Sequence, residues 1–445
     1  MATADCPLLP VVGGDLSVPL VDGSSTRYVN LDYAASTPAL ASVAAHLGDV
    51  LPLYASVHRG AGYASQVSTS AYEGARSVVG DFVGAREGDH VIFTRNTTDS
   101  LNLLAGIVQG ETVLLDIEHH ANLLPWTQTT GRIVAAGATL EETLDRVGTE
   151  LAARPAALLT VTGASNVTGE TLPLRSLASI AHRYGARLAV DGAQLVPHRP
   201  VDLARDGIDY LAFSGHKTYA PFGTGVLVGR GDWLDAGAPY LLGGGAVSSV
   251  AYHAASGAEA IWRNGAARHE AGSPNVLGAV ALARAVQDLS ALDQSAWLEH
   301  ESTLRRQLID GLATVPGARV LQLFPDSVDP VGVVGFVVDG VDSRLLATYL
   351  SAEWGIGVRD GKFCAHPLLD RLGVTSPALR ASFGVGSSAA DVTALVDALH
   401  AFSASAVACR YELSDGHWSV IGDERPRPDW APVLAPGAGA YGCAA

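Results

Sequence analysis

Lys217 is one of only two lysines in a chain of 445 residues. It lies in "YLAFSGHKTY", directly after an apolar run that predicts a buried strand. An amine that loses its proton can form an imine with an aldehyde, which a guanidinium cannot do. The neighbouring Ser214 and His216 offer a hydroxyl and an imidazole, donors of the kind that hold a phosphate. Together these residues indicate a lysine that reacts with a phosphorylated aldehyde, whereas an isolated loop lysine would indicate only a solvated charge.

A second apolar run, "RLAVD", ends at Asp191, about one strand–helix–strand unit before Lys217. The carboxyl ends of parallel strands face one crevice, so the carboxylate and the amine are expected to meet there. In pyridoxal phosphate chemistry a lysine forms the Schiff base and a carboxylate keeps the pyridine nitrogen protonated. Alone, an aspartate before a glycine is typical of a turn. In combination with "SGHK", Asp191 indicates a pyridoxal phosphate site.

The elements that must position these residues alternate between short apolar runs and helical patterns, as in a parallel sheet with crossover helices. The predicted strands cover 90–94, 111–116, 156–163, 186–192, 209–214 and 224–229. The predicted helices cover 174–185, 275–293 and 294–315. The turn "NTT" after the first strand is expected to open a further helix, whose N-terminus favours an anion. An α/β fold is therefore predicted.

The pattern changes along the chain and predicts four parts. They are an N-terminal segment over 1–28, a large cofactor-binding domain over 29–290, a small α+β domain over 291–408 and a Pro/Gly-rich, partly irregular extension over 409–445. This division leaves open whether the N-terminal segment also contributes to the small domain.

The composition excludes several partners. The formal net charge of −16 and the absence of a basic run argue against nucleic acid and anionic membranes. No apolar stretch approaches the ~18 residues of a spanning helix, and no basic-then-apolar leader opens the chain. The cysteines lack metal or redox spacing, and the histidines lack a ligand set, so no metal site is expected. We expect a cytoplasmic protein.

The chain resembles the class V aminotransferase superfamily, and most of all cysteine desulfurases of the selenocysteine-lyase-like type. The resemblance rests on an ordered series of motifs. They are "VNLDYAASTPA" (29–39), "HRGAGYAS" (58–65), "TRNTTDSLNLLA" (94–105), "EHHANLLPW" (118–126), "ASNVTGE" (164–170), the segment from "DGAQLVPH" to "GTGVLVG" (191–229), "RHEAGSPN" (268–275) and "RASFGVG" (380–386). The resemblance implies fold type I of the pyridoxal phosphate enzymes: a large domain with a mainly parallel, seven-stranded-type sheet and a smaller α+β C-terminal domain.

The resemblance also implies roles on the cofactor side. Lys217 would form the Schiff base and move protons, Asp191 would pair with the pyridinium nitrogen, and Gln194 would hydrogen-bond the phenolic oxygen. His119 would stack on the ring, although a histidine at a helix start is the plainer interpretation. Phosphate would be held by Thr97, Thr98, Ser214, His216 and, from the neighbouring subunit, Ser273. A homodimer with a shared active site follows from that last assignment.

On the substrate side, the resemblance implies that Arg380 and Asn166 hold an amino acid's carboxylate, with Arg359 close by. A guanidinium is the natural bidentate partner of a carboxylate. Cys364 would attack the sulfur of L-cysteine, leaving a persulfide for a sulfur-acceptor protein and alanine as product. The loop "VRDGKFCAHP" departs from the pattern at Lys362 and Phe363, where two histidines are usual. The departure puts substrate choice and partner activation in doubt.

Three alternatives stay open at this point. A carbon–sulfur or carbon–selenium lyase of the same fold could act on a modified cysteine. An aminotransferase or epimerase would leave Cys364 incidental, and a scaffold protein would keep the fold without catalysis. The expected activity is a cysteine desulfurase, serving iron–sulfur cluster or other thio-cofactor assembly.

Overall fold

A computed structural model describes residues 4–58, 60–254 and 257–431 of the chain. The described residues form two compact units. Among the described residues, the terminal unit draws on 4–36, 165–170 and 293–431, and the sheet unit on 37–58, 60–164, 171–254 and 257–292. Residues 432–445 of the predicted extension lie outside the described residues, and the four-part division of the chain stays a prediction.

The described strands follow one another in chain order. They are β1 (Ser17–Pro19), β2 (Ser25–Arg27), β3 (Val29–Asn30), β4 (Asp89–Thr94), β5 (Thr112–Leu115), β6 (Gly131–Val134), β7 (Leu158–Thr162), β8 (Arg187–Asp191), β9 (Tyr210–Ser214), β10 (Gly225–Arg230), β11 (Val247–His253), β12 (Gly257–Trp262), β13 (Ala318–Val320), β14 (Val333–Val338), β15 (Ile356–Gly357), β16 (Arg359–Gly361), β17 (Ala378–Ser382), β18 (Tyr411–Ser414) and β19 (His417–Val420).

The described α-helices are numbered in the same way. They are α1 (Ala41–Val50), α2 (Tyr63–Phe82), α3 (Thr97–Ile107), α4 (His120–Thr127), α5 (Leu140–Ala153), α6 (Leu174–Arg183), α7 (Leu203–Asp206), α8 (Gly231–Ala236), α9 (Val276–Ser290), α10 (Gln294–Thr314), α11 (Ser343–Trp354), α12 (His366–Arg371) and α13 (Ala389–Ser403). Short 3₁₀ turns cover Leu51–Leu53, Gly215–Lys217 and Ala266–Arg268. The predicted helices are confirmed as α6, α9 and α10, and the helix after "NTT" as α3.

The sheet unit is built on a seven-stranded sheet in the order β4-β10-β9-β8-β7-β5-β6. Its central strands are parallel and fully buried, as their continuous apolar runs predict. β10 is antiparallel to both of its neighbours, because the short connection from β9 contains no crossover helix. The sequence did not predict β6, a half-exposed edge strand with no continuous apolar run.

The strands that matter for the site end at one edge of this sheet. β5, β7, β8 and β9 are parallel, and β4 points the same way because β10 lies antiparallel between it and β9. Their carboxyl ends lead into α3, the His119 turn, Asp191 and the 3₁₀ turn of Lys217. A buried apolar cluster from the sheet and from α3 holds this edge in place. We call it the carboxyl edge.

The terminal unit has a four-stranded antiparallel sheet in the order β13-β14-β17-β16. β3 and β15 add a short parallel pair. The helices α10, α11 and α13 contribute a buried core against this sheet. A capping box of Ser388 and Asp391 starts α13. This unit carries Arg380 on β17 and Cys364 directly after β16.

A hairpin of β18 and β19 follows α13 and was not among the predicted elements. Trp418 donates from Nε1 to Asp342 at 3.0 Å, and Tyr411 donates from its hydroxyl to Glu353 at 2.7 Å. Asp342 is the N-cap of α11, and Glu353 lies in its last turn. The hairpin therefore binds both ends of this helix. No helix in the described parts of the chain has the length and apolar character needed to cross a membrane.

Candidate active site

The N-terminus of α3 forms a donor cluster at the carboxyl edge. The backbone N–H of Thr97 donates to Ser214 Oγ at 2.8 Å, and the two hydroxyls lie 2.6 Å apart. Both residues are buried, whereas Thr98 is exposed. Asn96 caps the helix by accepting from the N–H of Asp99. Hydroxyls at the positive end of a helix dipole favour a bound anion such as phosphate.

Gly225 allows the backbone to approach this cluster closely. A Cβ at this position would lie 2.4 Å from the Cα of Asn96 and 2.5 Å from its carbonyl carbon. Any other side chain would push the start of α3 away from β10. The glycine therefore fixes where the donors of α3 stand.

Asp191 is buried at the end of β8, with only 4% of its surface exposed. Burial raises the pKa of its carboxyl, while the 3.0 Å hydrogen bond from Ala193 N–H and the charge of Lys217 lower it. The charge of Lys217 is thus within electrostatic range of Asp191. Gln194 is buried in the turn that follows β8. Lys217 itself is half-buried in the 3₁₀ turn after β9.

His216 lies beside Lys217 with its ring stacked on Phe222 at a centroid distance of 5.0 Å. Burial, together with the charge of Lys217, lowers the pKa of His216 to about 4. The imidazole is therefore neutral at physiological pH. A neutral ring can donate one hydrogen bond but brings no charge to the site.

His119 is the N-cap of α4, where its Nδ1 accepts from the N–H of Ala121 at 3.0 Å. An accepting Nδ1 leaves the proton of a neutral ring on Nε2. The helix-start interpretation of this histidine is confirmed. That position is also at the carboxyl edge, so the cap and a role toward a ligand ring are compatible.

Ser273 is exposed and lies in a cleft of about 1050 Å³ in the sheet unit. The cleft is also lined by His58, Arg76 and Arg263. Neither Thr97 nor Ser214 lines this cleft, so Ser273 lies on a different surface of the sheet unit. A role in a phosphate site stays a prediction that requires a second chain.

Arg380 is the most buried charged side chain of the terminal unit's candidate residues, with 3% of its surface exposed. Its Nη2 donates to Asp32 Oδ1 at 3.0 Å, and its Nη1 donates to the carbonyl oxygen of Asn166 at 3.1 Å. Its Nε has no hydrogen-bond partner among the described residues. Burial lowers the pKa of Arg380, and the carboxylate of Asp32 raises it. The guanidinium keeps donors that a carboxylate could use.

Cys364 and Phe363 form a turn in the left-handed region, with φ of 53° and 55°. Non-glycine residues are uncommon in this region, and here two follow each other. The carbonyl oxygen of Phe363 accepts from Asn166 Nδ2 at 2.7 Å. The charge of Arg380 is close enough to Cys364 for the thiol to influence the pKa of the guanidinium. Arg359, an exposed residue, is the direct cross-strand partner of Arg380.

Two residues with evident roles were missed from the sequence. Asp32 holds Arg380, but the two are 348 residues apart in the chain, so no local signal joins them. Glu118 is fully buried beside His119, and one of its oxygens accepts from Asn122 Nδ2 at 2.7 Å. Burial raises the pKa of Glu118 to about 8. The sequence signal that could have identified Glu118 is its position between a predicted buried strand and the "HHAN" segment.

The fold defined by these two units is fold type I of the pyridoxal-phosphate-dependent transferases. The aminotransferase class-V family model matches residues 29–395, and the chain belongs to this family. The enzymes of this family depend on pyridoxal phosphate. The predicted family and fold are therefore confirmed.

Two relatives are named as cysteine desulfurases. The cysteine desulfurase of Haloferax volcanii is 36% identical over 414 residues, which cover 89% of this chain and 95% of the relative. A probable cysteine desulfurase of Vibrio cholerae is 36% identical over 358 residues, covering 78% and 86%.

Two solved structures give the same picture. The apo cysteine desulfurase of Thermococcus onnurineus NA1 matches with a TM-score of 0.77 at 30% identity, covering 85% of this chain and 95% of that one. The cysteine desulfurase CsdA of Escherichia coli matches with a TM-score of 0.75 at 32% identity, covering 86% and 96%.

Proposed function

We propose that this protein is a pyridoxal-phosphate-dependent cysteine desulfurase that converts L-cysteine to L-alanine. The observation that carries the proposal is the link between a buried guanidinium and the cysteine turn. Arg380 keeps an Nε donor without a hydrogen-bond partner among the described residues, and it is joined through Asn166 to the carbonyl of Phe363, the residue directly before Cys364. An α-carboxylate held by Arg380 would bring an amino acid's side chain toward a nucleophile. The relatives named above support cysteine as that amino acid.

The residues at the carboxyl edge fit the cofactor. Asp191 is a buried carboxylate that a protonated pyridine nitrogen would satisfy, and Thr97 and Ser214 offer clustered donors at a helix N-terminus. Gly225 provides the close backbone approach that this cluster needs. Bound pyridoxal phosphate supplies an electron sink for the bonds at the α-carbon of an amino acid.

Each residue has a separate task in the proposed reaction. Lys217 would hold the cofactor through its aldehyde group and would accept and return the α-proton at Nζ. Asp191 would keep the pyridine nitrogen protonated. His216 is neutral and would donate to the phosphate without adding charge. His119 would offer its ring from the start of α4, and Gln194 would hydrogen-bond the phenolic oxygen.

Sulfur transfer is assigned to the terminal unit. Arg380 and Asn166 hold the substrate carboxylate, and the Cys364 thiolate attacks the substrate sulfur. A new S–S bond forms while the substrate's C–S bond breaks, and its electron pair stays with the amino-acid portion. Protonation of that portion gives alanine, and the persulfide on Cys364 passes to an acceptor protein. We propose iron–sulfur or other thio-cofactor assembly as the destination.

We further propose a homodimer in the cytoplasm. Support for the dimer is the exposure of Ser273, which the shared-site assignment requires to reach a neighbouring chain. Cys6, Cys364 and Cys409 form no disulfide within the described part of the chain, which suits a reducing compartment.

The test is an assay of the purified protein with L-cysteine. Wild type should release equimolar alanine and sulfide in the presence of a reductant. Cys364→Ser should lose sulfide release by about a hundredfold or more, because a hydroxyl cannot carry the persulfide. Lys217→Ala should lose activity and the visible absorbance of the cofactor–lysine Schiff base. Unchanged sulfide release in Cys364→Ser would refute the persulfide mechanism, and pyridoxamine phosphate formation with an amino donor would indicate an aminotransferase.

A further inference from the structure

Phe363 occupies the position directly before the proposed nucleophile. Its side chain is 93% buried, with 7% of its surface exposed. Its ring lies under the guanidinium of Arg380, whose Cζ is 5.2 Å from the ring centroid. A guanidinium over an aromatic face is held by the negative potential of that face, and the attraction is strongest where water is excluded.

The backbone of Phe363 is tied to the same group of residues. Its carbonyl oxygen accepts from Asn166 Nδ2, and the carbonyl oxygen of Asn166 accepts from Arg380 Nη1. Phe363 is thus connected to Arg380 in two ways. Its ring contacts the guanidinium directly, and its carbonyl oxygen is connected to the guanidinium through Asn166.

This double attachment supports an unfavourable backbone conformation. Phe363 and Cys364 both have positive φ, and such residues cost free energy unless their surroundings hold them. The turn is closed by the N–H of Ala365, which donates to the carbonyl oxygen of Lys362 at 3.0 Å. The contacts of Phe363 with Asn166 and Arg380 therefore help to hold the left-handed form.

We propose that Phe363 is a positioning residue that couples carboxylate recognition to the placement of the Cys364 thiol. By stacking on Arg380 it orients the guanidinium, and through its backbone it holds the strained turn that presents the thiol. The inference rests on the proposed function for its effect on turnover. Its effect on the thiol itself depends only on the geometry of the terminal unit.

The test compares Phe363→Leu with Phe363→Tyr in the full-length protein as purified, without substrate. Leucine stays buried and apolar but removes the aromatic face, whereas tyrosine keeps it. Alkylation of Cys364 by iodoacetamide is followed by peptide mass spectrometry, with the exposed Cys6 as internal reference. Phe402→Leu is the matched control, since this ring packs on Tyr349 in the same unit.

We expect Phe363→Leu to raise the alkylation rate of Cys364 relative to Cys6 by about fivefold, the loss of a contact of roughly 1 kcal/mol. Phe363→Tyr and Phe402→Leu should stay near the wild-type rate. A change below about twofold in Phe363→Leu would overturn the inference, since that contact would then not hold the turn. An equal rise in Phe402→Leu would also overturn it, because the effect would be general loosening.

Turnover separates this inference from the proposed function. With L-cysteine, Phe363→Leu should raise KM and lower kcat together, and Phe363→Tyr should restore both. If wild type shows no turnover while the alkylation difference persists, the proposed function fails and the positioning role stands. If wild type is active and KM is unchanged in Phe363→Leu, the coupling to carboxylate recognition is refuted.

Discussion

Glu118 is a carboxylic acid buried in the sheet unit, in the turn between β5 and α4. One of its carboxyl oxygens accepts from Asn122, and the other has no hydrogen-bond partner among the described residues. Desolvation raises its pKa to about 8, and the charges of Asp191 and Asp116 add to that shift. A neutral acid here avoids adding a second negative charge near Asp191, the carboxylate proposed to pair with the pyridinium nitrogen.

The raised pKa predicts a specific pH dependence of stability. Stability from the neutral acid is fully present below the unfolded pKa of 4.5 and is lost as pH rises toward about 8. Glu118→Gln keeps an acceptor for Asn122 and cannot ionise. We therefore expect the free energy of unfolding of the variant, relative to wild type, to increase by on the order of 2 kcal/mol from pH 5 to pH 8.

Thermal denaturation at pH 5, 6, 7 and 8 measures this difference. Glu87→Gln is the control, because Glu87 is exposed and its substitution should leave the difference flat. A difference for Glu118→Gln that does not grow with pH would mean that the carboxyl is solvated or ionised in the folded protein.

At the scale of elements, α11 connects the C-terminal hairpin to the strand that precedes Cys364. It packs against β16, which leads directly to Cys364, and against β19 of the C-terminal hairpin. Asp342 at its start accepts from Arg344 and Trp418, and these bonds lower its pKa to about 2. The hairpin therefore supports the helix that packs against β16, the strand that precedes Cys364.

Trp418→Phe removes one hydrogen bond from this arrangement while keeping most of the ring's packing. We expect a loss of about 1 kcal/mol, seen as a drop of a few degrees in Tm at neutral pH. Trp430→Phe is the control, since Trp430 is 85% exposed and should leave Tm unchanged. Equal Tm values for wild type and Trp418→Phe would show that the hairpin does not stabilise α11 through this bond.

At the scale of the whole molecule, the shared-site proposal predicts complementation between subunits. Ser273→Ala alone should retain pyridoxal phosphate more weakly, because each phosphate site loses a hydroxyl. Co-expression of Ser273→Ala with Lys217→Ala should yield mixed dimers with one complete site, whose cofactor absorbance and activity recover in part. In the control, wild type is mixed with a chain carrying both substitutions, which leaves no complete site in the mixed dimer. The mixed dimers are isolated with a different affinity tag on each chain, because wild-type homodimers in the control mixture are active. Recovery in both isolated mixed dimers, or in neither, would contradict sharing.

The sequence could predict the parts of the molecule that local pattern determines. Buried strands could be recognised in the sequence as apolar runs. Lys217 and Asp191 could be assigned to the carboxyl edge because each comes at the end of such a run. The direction of β10 depends on its connection to β9, which is too short for a crossover helix. The strand β6 is too exposed to give a continuous apolar run. The Asp32–Arg380 pair joins distant segments, and the left-handed turn at Phe363 depends on contacts with Asn166 and Arg380. These features arise only once the chain is folded.

The antiparallel direction of β10 restricts the main chain of the loop that carries Lys217. The segment between Ser214 and Gly225 leaves and re-enters the same edge of the sheet, and the N–H of Gly215 donates to the carbonyl oxygen of Thr224 at 2.8 Å across its base. The segment is a short closed loop, so its main chain has little entropy left to lose on ligand binding. In the proposed reaction the movement of the Lys217 amine therefore comes from rotation about the bonds of its four methylene carbons, while the main chain at Lys217 keeps its position.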